Sequence, residues 1–412
     1  MSTIRHITLP RGFLSAGVKC GIKASGKEDL AIIAGRNDCA AAVITTQNQV
    51  IGEPVRYCRQ MLPKGCGRAR AIVINAGCSN VCTGKAGLRD AREMAALTAG
   101  KLGTIARKVL VASTGIIGRR LPMDKVRAGI ASAVAALGTD KDVQTLRAIM
   151  TTDTREKSAV VQATISGKLV TVAGIVKGAG MIAPNLATMI AVITTDAAVS
   201  PAALHKALTA AAKVSFNAIT VDSDTSTSDT VVVLASAAAR NEEITTNAHG
   251  KPSAGFRRFQ DALTEVCCEL ARSVVIDGEG ATKLVEIAVS GARSDAEAEI
   301  AAKSVANSPL FKCAVHGGDP NWGRIACALG KSAAKVDPRR LTITVGGVKI
   351  FARGGGRQFD LKTREKLKQV ERHLAGKEVR VECDLGLGRG RFTALTCDLS
   401  REYITINADY HT

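Results

Sequence analysis

The chain reads as an α/β protein with a separate α+β subdomain at its C-terminal end, on three observations. Short β-rich runs alternate with Ala-rich helical stretches through the first two thirds of the sequence. The character changes after about residue 285, where a strand-then-helix segment leads into several further strands. The length of 412 residues, 46% of them hydrophobic, is enough for a substantial core and for two or three domains.

Taken in order, "ARAIVINAG" and "KVLVASTGIIG" read as strands ending in small-residue turns. "GLRDAREMAALTAGKL" and "MDKVRAGIASAVAAL", between and after them, carry helical periodicity. "TREKSAVVQATISGKLVTVAGIVKGAG" predicts a hairpin turned at Ser166, Gly167 and Lys168. "SPAALHKALTAAAKVSF" predicts a helix with Ser200 as N-cap and Pro201 in the first helical position, where its missing N–H costs nothing. "NEEITTNAHGKPSAG" is polar and punctuated by Gly and Pro, hence a loop. In the last third, "LVEIAVSGARSDAEAEIAAKSVANSPL" is a strand and then a helix, and "RRLTITVGGVKIFARG" and "EVRVECDLGLGRGRFTALTCDLS" are strands. No internal repeat or low-complexity tract is visible.

Composition removes several function classes. No apolar stretch reaches the roughly 18 residues of a membrane helix, and "MSTIRHITLPRGF" lacks the apolar segment of a signal peptide, so a soluble, cytoplasmic protein without a membrane partner is expected. The net charge of +19 raises nucleic acid as a partner, but the basic residues are spread along the chain and aromatics make up only 3%, which leaves few surfaces for bases to stack on. No nucleic-acid partner is expected. The twelve Cys contain no C-x-x-C pair and the six His are dispersed, so reduced, mostly buried thiols are expected and no metal site.

Familiar motifs fail on inspection. Gly84-Lys85 is followed by Ala86 and has Ser79 where a phosphate-binding loop needs Gly. "DLGLGRGRF" sits late in a strand-turn-strand context rather than opening a dinucleotide-binding unit. Neither G-x-S-x-G nor H-E-x-x-H occurs. "VDSDTSTSDT", with Asp222, Asp224 and Asp229, does not follow calcium-loop spacing and reads as a turn that hydrogen-bonds its own backbone.

One stretch asks for chemistry: "KGAGMIAPNLATMIAVITTDA", from Lys177 to Ala197. A Thr hydroxyl is a poor nucleophile without an adjacent base, and cutting the chain before it turns its own α-amine into that base. Such an amine titrates near 8 in model compounds, so a useful fraction is neutral at physiological pH. The cut needs a small preceding residue, an unusual backbone and donors for the oxyanion. Ala187, then Gly178, Gly180 and Pro184, meet the first two needs, and Ser113-Thr114-Gly115 at the end of a strand can offer a hydroxyl and an N–H together.

These residues, with "VASTGIIGRRLP", "IMTTDT", "SFNAITVDSDTSTSDT", "DGEGATK", "GGDPNWGRI" and "INADYHT" in the same order, resemble the ArgJ family of arginine biosynthesis over essentially the whole chain. Ala179 and Ala183 stand where that family often has Ser and His, and no reacting group is missing. The resemblance implies a layered α/β core of the N-terminal-nucleophile kind. It implies self-cleavage between Ala187 and Thr188 into an α chain (1–187) and a β chain (188–412), the latter completing the catalytic core over 188–285 and carrying the subdomain over 286–412. It implies that Thr188 takes the acetyl group of N2-acetyl-L-ornithine and passes it to L-glutamate, with Thr114 and Gly115 as the oxyanion hole. Thr151, Lys177, Thr188, Glu279, Asn407 and Thr412 match the substrate contacts, with Thr152 the alternative to Thr151. The cleaved chains are expected as an α2β2 heterotetramer, with no cofactor and with acetyl-CoA left open as a co-substrate. A self-processing amidase or aminopeptidase, in which water accepts the acyl group, is the alternative.

Overall fold

The computed structural model describes residues 6–183, 189–247, 251–352, 354–356 and 361–409, which form two compact units. Of the described residues, the first takes those within 1–217 and 225–274, the second those within 218–224 and 275–409.

The first unit is built on an eight-stranded mixed sheet. Its strands are β1 (Phe13–Val18), β2 (Leu30–Thr45), β3 (Cys66–Cys78), β4 (Val109–Ile116), β5 (Ser158–Ile165), β6 (Lys168–Lys177), β7 (Ile190–Thr195) and β8 (Thr230–Ala235). The order is β4-β3-β2-β8-β7-β6-β5, with β1 paired to β2. β3 and β4 run parallel, as do β7 and β8, and the other pairs are antiparallel. β7 and β8 are buried at every position, the signature of strands covered on both faces. β5 alternates exposed and covered residues and faces solvent on one side.

The long strand β2 changes neighbours along its length. Leu30–Gly35 pairs with β1, whereas Ala40–Thr45 pairs with β8. Between them the register against β3 shifts from Ala34 to Cys39, and a Cβ on Gly35 would lie 2.5 Å from the Cys39 sulfur, so only Gly fits the tight bend.

Helices α1 (Glu53–Met61), α2 (Gly84–Lys101), α3 (Met123–Ala135), α4 (Asp142–Ile149), α5 (Pro201–Val214) and α6 (Phe256–Ile276) complete this unit, the last two residues of α6 belonging to the second. α3 and α4 pack on β1 and β2, and α5 on β2 and β3. The Ser200 Oγ accepts from the Ala203 N–H with Pro201 in the first turn, as the sequence predicts. The hairpin also forms as predicted. Ile165 faces Lys168, and Ser166 and Gly167 take φ of +47° and +72°, the left-handed pair that a two-residue turn between twisted strands requires. α2 starts at Gly84, earlier than its periodicity suggests, because Asn80 and Thr83 hydrogen-bond to each other and the Asn80 amide donates to Gly87 O.

The second unit holds a six-stranded sheet of β9 (Leu284–Ala292), β10 (Thr342–Val345), β11 (Val348–Ala352), β12 (Gly355–Gly356), β13 (Glu378–Asp384) and β14 (Gly390–Cys397), in the order β12-β11-β10-β13-β9-β14. α7 (Asp295–Ala306) lies on β9 and β14 through Ala298, Ala301, Ala302 and Ala306, small side chains that let the helix approach the sheet closely. α8 (Pro309–Gly317), α9 (Trp322–Gly330), α10 (Leu361–Leu374) and α11 (Arg401–Asp409) surround this sheet in sequence. The layered α/β class with an additional α+β sheet is therefore what the chain adopts.

Cys39, Cys58, Cys78, Cys267, Cys383 and Cys397 are buried, whereas Cys82, Cys313 and Cys327 are exposed, so burial of the thiols is less general than expected. Among the described residues, no helix is long and apolar enough to cross a membrane, and no group of three potential metal ligands forms.

Candidate active site

The sheet of the first unit brings distant sequence blocks to one edge. Lys177 ends β6 and pairs with Ile190 at the start of β7, and Ile190 pairs with Thr230 at the start of β8. Thr114 belongs to β4, at the far end of the strand order, yet the Lys177 ammonium donates to the Thr114 hydroxyl at 3.2 Å. That contact requires the sheet to fold back on itself.

Thr114 and Gly115 are held from behind. Their strand runs parallel to β3 with Ala76 and Gly77 opposite, and the Ser113 hydroxyl donates to Asn75 Oδ1 at 2.6 Å while Asn75 Nδ2 donates to Cys78 O at 2.8 Å. Gly115 has φ +121°, and a Cβ there would lie 2.4 Å from the Gly77 carbonyl carbon and 2.6 Å from the Cys78 nitrogen. Backbone cannot yield to such a contact. Gly115→Ala is expected to lower stability by about 2–4 kcal/mol, read as a reduced urea midpoint, through strain and overpacking together.

Lys177 stands beside a group whose importance the sequence did not signal. The Asp153 side chain is buried, and its carboxylate accepts from the Lys157 ammonium at 2.6 Å, the Gly178 N–H at 2.7 Å and the Thr151 N–H at 2.9 Å. Burial works against its charge, but the Lys157 and Lys177 ammoniums and the Gly178 N–H outweigh it and hold the carboxyl at about 2. One carboxylate thus ties the Thr151 turn to the residue after Lys177. Thr151 and Thr152 are adjacent in that turn and both half-buried. Lys23 joins from another loop, its ammonium donating to Glu28 O at 2.6 Å and to Arg147 O at 3.3 Å. Burial chiefly, with repulsion from Lys177 and against attraction by Asp29 and Asp153, brings Lys23 down to about 8.

In the second unit the structure joins Glu279 and Asn407, which are 128 residues apart: the Asn407 amide donates to Glu279 Oε2 at 2.9 Å and to Tyr403 O at 2.9 Å. Glu279 follows the end of α6 in a turn and is nearly buried. Gly280 takes φ +68°, and a Cβ there would approach the Tyr403 nitrogen to 2.5 Å, so the turn and α11 are in close contact. Asp398 fixes the far side of this turn by accepting from the N–H groups of Thr282 and Lys283 at 2.8 Å each, with His316 Nδ1 at 2.7 Å.

Of the residues singled out by sequence, Thr114, Gly115, Thr151 and Lys177 thus share one edge of the first unit, and Glu279 and Asn407 pair within the second. Ala187, Thr188 and Thr412 lie outside the described residues. Asp153, Lys157 and Lys23 were missed because an isolated acid or base in sequence carries no sign of the partner that a fold will bring to it.

The ArgJ family pattern matches residues 14–412. A protein of Symbiobacterium thermophilum named arginine biosynthesis bifunctional protein ArgJ is 45% identical over 408 residues, covering 98% of this chain and 98% of the relative. One of the same name from Geobacter sulfurreducens is 45% identical over 402 residues, covering 98% of this chain and 99% of the relative. The crystal structure of arginine biosynthesis bifunctional protein ArgJ from Bacillus halodurans shares 38% identity with a TM-score of 0.48, covering 53% of this chain and 97% of that one. With a family pattern spanning nearly the whole length and relatives of this similarity end to end, the chain belongs to the ArgJ family and is an enzyme of that family.

Proposed function

We propose that the protein transfers the acetyl group of N2-acetyl-L-ornithine to L-glutamate through an acetyl-Thr188 intermediate, after cutting itself between Ala187 and Thr188. The observation that carries this reading is the 3.2 Å contact between Lys177 and Thr114, on an edge where Lys177 pairs with Ile190, two residues beyond Thr188.

In the mature enzyme the Thr188 hydroxyl attacks the acetyl carbonyl, and its α-amine takes the hydroxyl proton and returns it to the leaving ornithine amine. The Thr114 hydroxyl and the Gly115 N–H stabilise the oxyanion, a pair of donors whose individual loss costs about 10²–10³-fold in rate in comparable sites. Lys177 suits the substrate carboxylate and Glu279 its amino group, while Thr151, Asn407 and Thr412 hydrogen-bond polar ends. The glutamate amine then attacks the acetyl-enzyme, and the acetyl group is conserved. The word bifunctional in the relatives' names supports acetyl-CoA as a second acetyl donor. An α chain of 1–187 and a β chain of 188–412, assembled as α2β2 in the cytoplasm, complete the proposal.

Intact mass with N-terminal sequencing tests it. Two fragments are expected, one beginning Thr-Met-Ile, and incubation with acetylornithine without acceptor should add one acetyl group to that fragment alone. Glutamate should then remove the label faster than water does. An uncut chain overturns the proposal, and removal by water at the glutamate rate replaces it with the amidase reading.

A further inference from the structure

The contact between Lys177 and Thr114 has a direction. An ammonium carries three N–H donors and no acceptor, so at 3.2 Å the Thr114 hydroxyl oxygen can only accept from it. The hydroxyl hydrogen must then point away from the lysine. Most buried hydroxyls give that hydrogen to a carbonyl, as Thr194 does to Ile7 O at 2.7 Å and Thr195 to Thr171 O at 2.8 Å in β7 of the same sheet. Thr114 is only 9% exposed, yet its hydrogen meets no acceptor among the described residues. A buried donor left open in this way is costly to the fold, and its use lies outside the fold.

Both partners are fixed by their strands. Thr114 stands opposite Ala76 in the β3–β4 ladder, one residue after Ser113, whose hydroxyl is bound to Asn75 Oδ1 at 2.6 Å. Lys177 ends β6 opposite Ile190, and the Gly178 N–H just beyond it donates to the Asp153 carboxylate at 2.7 Å. That carboxylate also stands beside Lys177 as a counter-charge. The lysine is therefore anchored through the next residue of its own chain, and the threonine through the residue before it. Neither has to move for the contact to persist.

We propose that Lys177 is a positioning residue that acts through Thr114: by donating to the hydroxyl oxygen it turns the hydroxyl hydrogen outward and polarises it, which makes Thr114 a fixed donor for an oxyanion. The inference rests on the acetyl-transfer reading above and adds to it, since there Lys177 serves only the substrate carboxylate. When the acetyl carbonyl is attacked, its oxygen gains negative charge, and the Thr114 hydrogen stabilises that charge while staying on Thr114. No proton leaves Lys177. A hydroxyl whose oxygen already accepts from a cation is the stronger donor, because linked hydrogen bonds polarise one another. One that is already turned the right way needs no reorganisation as the charge develops.

The test follows single-turnover acetylation of the β chain by intact mass, at rising acetylornithine and without glutamate, in Lys177→Met, Thr114→Val and the double variant, each checked for folding by circular dichroism. Lys177→Gln serves where the Met variant does not fold. At saturation Lys177→Met is expected to be slowed about 10-fold or more and Thr114→Val about 10²–10³-fold, with the double variant no slower than Thr114→Val, because both changes act on one donor. Thr114→Ser keeps the hydroxyl and should stay sensitive to Lys177→Met. A lysine that served the carboxylate alone would raise the acetylornithine concentration needed and leave the saturated rate unchanged. That result, or losses that multiply in the double variant, overturns the proposal. If the variants stay uncut, the rates of the cut are compared instead, since no substrate carboxylate is present then: Lys177→Met is expected to cut no more slowly than Thr114→Val, and a slower cut overturns the proposal. An undiminished rate in Thr114→Val overturns it even if no lysine variant folds. A wild-type chain that never takes up the acetyl group overturns both readings.

Discussion

A Thr188→Ala chain is expected to stay a single polypeptide and to lose acetyl transfer altogether. The two losses have one cause, since the same hydroxyl is proposed to attack first the Ala187 carbonyl and then the acetyl carbonyl. Removing the nucleophile of a covalent enzyme costs on the order of 10⁶-fold, and the groups left behind do not compensate because they act on an intermediate that no longer forms. Thr188→Ser keeps the hydroxyl and should cut and turn over. This pair separates chemistry from folding: both variants should unfold at similar urea concentrations, read by circular dichroism, while only Ser gives two bands on a denaturing gel. A cut Thr188→Ala chain would remove Thr188 from the mechanism.

Asp153→Leu is expected to destabilise the protein by about 3–5 kcal/mol, because it leaves the Lys157 ammonium buried without its counter-ion. Both side chains are almost wholly inaccessible, 0% and 2% exposed, and lie 2.6 Å apart. Asp153→Leu combined with Lys157→Met removes both charges and should recover a large part of that loss in the urea midpoint. The pair also predicts an acid limit. Folding lowers the Asp153 titration from 3.8 to about 2, so its contribution is complete above pH ~4 and disappears as the pH falls towards 2. The difference corresponds to about 2–3 kcal/mol. Wild-type protein should therefore lose more stability between pH 5 and pH 2 than the double variant does, measured as urea midpoints at each pH. Because Asp153 also holds the Gly178 and Thr151 N–H groups, the single variant should weaken substrate binding before it unfolds the chain.

Local chemistry explains why parts of this protein were legible from its sequence. The α5 cap and the β5–β6 turn were readable because Ser200-Pro201 and Ser166-Gly167 select their conformations through neighbouring backbone groups alone. The Asp222–Thr230 stretch behaves partly as expected: the Asp224 N–H donates to Asp222 Oδ1 and the Ser228 N–H to Ser226 Oγ. Asp229, in the same stretch, bonds through its carboxyl to Ser226 and Thr46, but its Oδ2 is buried with no partner among the described residues. Its burial depends on which strands lie beside β8, and those come from residues as distant as Thr46 and Met189. The change of neighbours along β2 was equally hidden, because the apolar halves on either side of Arg36-Asn37-Asp38 are both buried, and an apolar run does not say which strand it will pair with.

By itself, then, the sequence determined the α/β class, the capped helix and tight hairpin, and the ordered motif blocks that carry the family resemblance, all of which depend on residues close together along the chain. Only the tertiary structure decided that Lys177 reaches Thr114, that Asn407 reaches Glu279, and that burial raises the titration of Asp229 while neighbouring ammoniums lower that of Asp153. Those outcomes depend on strand order and burial, and an ionisable group takes its charge state from the neighbours and the solvent that the finished fold leaves around it.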